Sequence, residues 1–238
     1  MDSGKPSARQ AACLFVEERF PACDGALLGG SVVRGEGTDR SDLDIIVFEE
    51  RVPSAYRQSI LFKGWPVELF VHNQESYLHF TEQDCKRARP SLPMMVAEGL
   101  VLKGEIYLKA FKEDAEDRLA AGPERWSEET IRTKRYFLTD VLDDFKGSMD
   151  MGEDLMIAGD LAVKLHEFFL RTNGQWIGES KWIIRALKRF DPAFAQEFVR
   201  AFDAFYAQQK KESIIKLVEK VLEPFGGLLF EGYSAGKK

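Results

Sequence analysis

Cysteine and histidine are both scarce in this chain, three of each in 238 residues. Cys13, Cys23 and Cys85 are odd in number and show no C-x-x-C spacing. That excludes a disulfide framework and a structural zinc site, and it points to a reducing compartment, so cytoplasm is the expected location. No apolar run approaches the ~20 residues that span a bilayer. The start, Met1-Asp2-Ser3-Gly4-Lys5-Pro6, lacks the charged-then-apolar profile of a signal peptide, so neither a membrane partner nor export is expected. Blocks of five like charges are absent too. The balance is acidic, 39 acidic against 33 basic residues for a net charge of −6, and long-range attraction to nucleic acid or an anionic membrane is not favoured. An anionic substrate would have to be met by local groups. There is no internal repeat and no low-complexity linker.

What is present is enough for one large or two ordinary domains: 45% hydrophobic and 30% charged residues can build a proper core. The richest stretch is Gly29 to Asp44, which ends in Ser41-Asp42-Leu43-Asp44 and runs into Ile45-Ile46-Val47-Phe48. It reads as a glycine turn able to lie against phosphates, then a strand that opens on two carboxylates. Side chains alternate along a strand, so Asp42 and Asp44 share one face while Leu43, Ile45 and Val47 point into a core. Two carboxylates on one face repel, and a cation between them removes the cost. Taken alone, the pair also fits a solvated strand end with Asp39 and Ser41 in a turn.

Taken in order, the chain predicts a helix from about Ser7 to Phe20, stopped by Pro21. A short strand, Ala26 to Leu28, then delivers the glycine turn, and a second strand spans Leu43 to Phe48. Tyr56 to Phe62 and Pro66 to His72, separated by a turn containing Gly64, read as a hairpin. In its second arm Val67, Leu69 and Val71 share one face, and Glu68, Phe70 and His72 the other. A carboxylate inside an apolar strand is costly unless it faces solvent at an edge or has a cation partner. Helices are expected from Gln74 to about Lys86 and near Pro93 to Glu98, then a strand at Leu100 to Leu102, with a domain boundary between residues 104 and 105.

From Glu105 onward the pattern is helical. Ser127 caps a helix with a stripe of Ile131, Leu138, Val141, Leu142 and Phe145. Asp154 to about Arg171 is apolar almost all round and reads as a central buried helix, ended by Asn173-Gly174. Lys181 to Phe190 forms the next helix. Asp191-Pro192 opens another, with Phe194, Phe198, Phe202 and Phe205 in register as core, and Ile214, Leu217, Val218 and Val221 mark the last. The fold class is therefore α/β (α+β) with a short mixed sheet, residues 1–104, followed by an all-α helical bundle, residues 105–238.

Gly30-Ser31, Arg34, Gly35 and Ser41-Asp42-Leu43-Asp44 before an apolar strand, with Glu68 on a later strand, resemble the signature of the polymerase-β-like nucleotidyltransferase superfamily. The helical half is similar, more weakly, to that of kanamycin, aminoglycoside and lincosamide nucleotidyltransferases. The resemblance implies an NTP, ATP by preference, as co-substrate and one or two Mg2+ ions on Asp42, Asp44 and Glu68. It also implies nucleotide contacts from Gly30, Ser31, Arg34, Ser41 and Lys181. Its chemistry is transfer of AMP to a hydroxyl of a small, antibiotic-like acceptor with release of pyrophosphate. The general base is open between Glu68, Asp160 and Glu167, Asp160 being carried as the candidate from the helical half.

Each of these residues also has an ordinary role open to it. Glu68 fits an edge carboxylate, Arg34 a surface arginine, and Lys181 a first-turn lysine, although a cation there opposes the helix dipole. His166 reads as a satisfied core histidine, and His72 as strand-end packing or a border of the site. Transfer of AMP to a partner protein and a non-catalytic nucleotide-binding module are the competing functions. The acidic balance disfavours nucleic-acid polymerisation, and both monomer and homodimer are open.

Overall fold

The structure is a computed structural model, described here for residues 5–236. It divides into two compact units, Met1–Ala121 and Gly122–Lys238. In the first, helix α1 (Ala8–Arg19) is opened by Ser7, whose hydroxyl accepts from the Gln10 amide while the Gln10 side chain returns to the Ser7 N–H. Strands β1 (Gly25–Gly29), β2 (Leu43–Phe48), β3 (Tyr56–Phe62) and β4 (Trp65–His72) follow. Helices α2 (Gln74–Lys86) and α3 (Ser91–Glu98), strand β5 (Leu100–Lys103) and helix α4 (Glu105–Ala121) complete the unit.

The five strands form one mixed sheet in the order β3-β4-β2-β1-β5. Only β2 and β4 run parallel, and the hairpin arm β3 makes their crossover. The hairpin turn is Lys63-Gly64, both with positive φ (46° and 83°), the geometry that matches the twist of paired strands. Alternation then sorts the side chains. Leu28, Ile45, Val47, Val67, Leu69 and Val71 pack with Phe15 and Ala12 of α1. Leu27, Ile46 and Phe48 pack on the opposite face with Tyr77, Val96, Leu108 and Phe111 of α2, α3 and α4. Each such buried side chain contributes roughly 1.5–3 kcal/mol. Helix α4 therefore lies with the sheet, and the first compact unit runs past the expected boundary at 104/105 to Ala121.

The second unit is helical: α5 (Glu128–Gly147), α6 (Met151–Thr172), α7 (Lys181–Phe190), α8 (Pro192–Gln208) and α9 (Glu212–Leu222), then a single 3-10 turn (Glu223–Phe225). The predicted caps are in place. Ser127 accepts from Thr130 N–H, and Asp191 accepts from Ala193 and Phe194 with Pro192 in the first turn. Phe194, Phe198, Phe202 and Phe205 are buried as expected. Helix α6 departs from expectation. Ala158, Leu161, Leu165, Phe168 and Leu170 are buried, whereas Leu155 and Val163 are exposed and Met156 is 73% exposed, so the apolar residues round this helix are not all covered.

Basic side chains finish helix ends here. Lys211 Nζ donates to the Phe145 and Ser148 carbonyls at the end of α5 and pairs with buried Asp154 at 2.6 Å. Arg135 donates to the carbonyls of Phe225, Gly226, Gly227 and Leu228, binding the tail to α5. Among the described residues no helix is long and apolar enough to cross a membrane.

Candidate active site

The site is assembled at the leading ends of β2 and β4. In their parallel register Asp44 lies beside Glu68, and on its other flank Asp44 is paired with Gly29 of β1. Two-residue periodicity puts both carboxylates on the sheet face of Ile46, Phe48 and Phe70. Asp42, just before β2, joins them. One carboxylate oxygen from each of Asp42, Asp44 and Glu68 lies within 4.8 Å of the others, and all three residues are half-buried.

The glycine turn is shaped around this cluster. Gly30 has φ +78°, and a Cβ on it would lie 1.9 Å from Asp44 Oδ2. Glycine is required twice there, for the backbone angle and because the carboxylate occupies the space a side chain would need. Ser31 Oγ donates to Ser41 Oγ at 3.2 Å, and Ser41 Oγ accepts from the Thr38 amide at 2.8 Å. The two serines tie the start of the loop to its end, which sets where Asp42 leaves it. Arg34, from the same loop, pairs with Glu36 at 3.3 Å and with Glu98 at the end of α3 at 3.2 Å.

The crowding of like charges bears on Asp44. Burial first, then the charges of Asp42 and Glu68, raise the Asp44 pKa from 3.8 to about 6, with Arg34 and Arg57 acting in the opposite sense. Arg57 on β3 escapes sequence reasoning although a signal for it exists. The two-residue turn fixes the β3–β4 register, with Arg57 opposite Phe70 and Ser59 opposite Glu68, so Arg57 shares the Glu68 face. Its guanidinium reaches Glu68 Oε2 at 2.7 Å and stands 5.1 Å from the Phe70 ring centroid.

The remaining candidates have other surroundings. His72 ends β4 four residues beyond Glu68, about 13 Å along the strand. It is buried, 3.4 Å from Ser76 Oγ and edge-on to Phe80. Burial lowers its pKa from 6.5 to about 4, which keeps it neutral and makes it strand-end packing. His166 is buried in α6 with its ring nitrogens 3.2 Å and 3.1 Å from the Ala162 and Gly178 carbonyls, a core histidine. In the second unit Lys181 opens α7 and is exposed, behind Ser180 at φ +53°. Asp160 is exposed and pairs with Lys164 one turn on at 3.0 Å, and Glu167 pairs with Lys134 at 3.0 Å.

The donor set fits a hard divalent cation. Carboxylate oxygens are the ligands Mg2+ takes, and the close seat of Asp44 against Gly30 leaves its oxygen held without a covering side chain. A cation held by these three residues would offset the repulsion that adds to burial in raising Asp44.

Residues 14–119 match the model of the nucleotidyltransferase domain. This segment, just under half of the chain, is similar to a nucleotidyltransferase domain. It spans α1 to α4 and so contains the sheet, the glycine turn and all three carboxylates. A nucleotidyltransferase domain takes a nucleoside triphosphate and transfers its nucleoside monophosphate, usually with a divalent metal ion. Among solved structures, the chain is similar to a nucleotidyltransferase-like protein from Exiguobacterium sibiricum 255-15. The match has 13% identity and a TM-score of 0.45, and covers 91% of this chain and 74% of that one. No curated protein sequence matches the chain.

Proposed function

We propose that the chain is a Mg2+-dependent nucleotidyltransferase that moves AMP from ATP to a hydroxyl of a small molecule, with aminoglycoside- or lincosamide-like compounds as the acceptor class. The observation that supports this reading best is the convergence of Asp42, Asp44 and Glu68 within 4.8 Å beside a glycine turn. Asp42, Asp44 and Glu68 hold the metal, which when bound neutralises charge on the phosphates and leaves open positions for phosphate and water. The Gly30 turn brings backbone N–H groups to phosphate oxygens, Ser31 and Ser41 offer hydroxyls, and Arg34 supplies positive charge.

In the reaction the acceptor oxygen bonds to the α-phosphorus in line with the α–β bridging oxygen. That P–O bond breaks, and pyrophosphate leaves with its electron pair. The hydroxyl proton passes to a carboxylate of the first unit, with Glu68 as the candidate base. Most of the rate arises from positioning and electrostatics, as it does for phosphoryl transfer in general.

The test is pyrophosphate release from ATP and Mg2+ across a panel of aminoglycosides and lincosamides, with Asp44→Asn as control. Acceptor-dependent release by the wild type alone is expected. Release that survives in Asp44→Asn contradicts the assignment, and silence across the panel removes the proposed acceptor class.

A further inference from the structure

We infer that Arg57 is a built-in counter-cation of the acidic cluster, occupying Glu68 and competing with the divalent ion for it. The inference rests on the reading of Asp42, Asp44 and Glu68 as a metal site and adds a residue that sets its occupancy.

Glu68 is one of the three carboxylates that converge, and its Oε2 accepts from Arg57 at 2.7 Å, so the carboxylate a metal would use is already engaged by a guanidinium. The contact is monodentate. The arginine side chain is 59% exposed on β3, an edge strand, and its other contact is with the Phe70 ring at 5.1 Å. An exposed one-point ion pair contributes about 0–1 kcal/mol, so an ion can displace it at little cost. It is nonetheless enough to bias binding, because three acids without a cation repel one another.

Arg57 sits differently from Arg34, which is engaged by Glu36 and Glu98 outside the cluster. A cation spent on the cluster itself lowers the affinity for bare metal. It thereby favours loading together with a triphosphate, whose charge gives the released guanidinium a new partner. Arg57 is thus a positioning residue, acting on the metal through Glu68.

The experiment is Mn2+ titration of the full chain by electron paramagnetic resonance, without nucleotide, for wild type, Arg57→Gln, Glu68→Gln and the double variant. Arg57→Gln is expected to bind Mn2+ about two- to fivefold tighter than wild type, the range an exposed ion pair spans. In the Glu68→Gln background the same change should have no effect, which separates the pairing from a general field of one positive charge. Unchanged or weaker Mn2+ binding in Arg57→Gln, or an equal gain in both backgrounds, overturns the inference while leaving the metal site standing. Absence of Mn2+ binding by the wild type overturns both.

Discussion

Strands β2 and β4 carry the same sheet face from end to end, and their two ends have opposite fates. At the leading end Asp44 lies beside Glu68, and in the same register, four residues later, Phe48 lies beside His72. The trailing end is covered: Phe48 is fully buried among Tyr77, Tyr107 and Phe111 from α2 and α4. At the leading end the three carboxylates stay half-buried beside the glycine turn, with Arg57 paired to Glu68. Burial favours the neutral form at both ends, raising Asp44 to about 6 and lowering His72 to about 4. A bound cation can reverse the effect only at the acidic end. One stretch of sheet therefore has a packing half and a chemical half, and the helices above it decide which is which.

That division can be broken in graded ways. The largest effect expected is on transfer. Asp44→Asn should lower acceptor-dependent pyrophosphate release by at least about a thousandfold, the scale on which metal-held charge contributes to a barrier, while far-UV circular dichroism stays unchanged. Next is Phe48→Ala at the covered end, which should cost about 3–5 kcal/mol of stability in urea unfolding because it empties a fully buried ring site. Gly30→Ala combines positive φ with a 1.9 Å clash against Asp44 Oδ2. It should cost about 1–3 kcal/mol in the same assay and weaken Mn2+ binding as the carboxylate is pushed aside.

The smallest effect is a pH dependence. His72 binds its proton less readily folded than unfolded, so stability associated with it is present above pH 6.5 and lost as pH falls from 6.5 through about 4. His72→Gln should flatten that part of a melting-temperature profile. An unchanged slope would mean that the trailing end is not sealed.

How much of this was legible depends on the kind of signal. Strands β2 and β4 and helices α7 and α8 announce themselves through period-two alternation and through the Asp191-Pro192 stop and cap. Alternation alone puts Asp42 and Asp44 on one face, while the match of Asp44 with Glu68 needs the parallel register of β2 and β4. What local pattern did not disclose was long-range pairing. Glu98 as a partner of Arg34 is 64 residues away in sequence. Helix α4 shows its allegiance to the sheet only where Leu108 and Phe111 meet Leu27 and Phe48. Composition misled for α6, because apolar residues all round a helix do not say which side is covered, and Met156 faces out. Arg57 was a residue whose register was readable from the Lys63-Gly64 turn, yet it has no motif to draw attention to it.

The central claim is that the uncovered end of this strand pair binds a divalent cation. The most direct test is a calorimetric Mn2+ titration of the full chain at neutral pH, comparing the wild type with Asp44→Asn. The account predicts a saturable site in the wild type that is lost or weakened by an order of magnitude or more in the variant. Equal Mn2+ binding by the two proteins would contradict it.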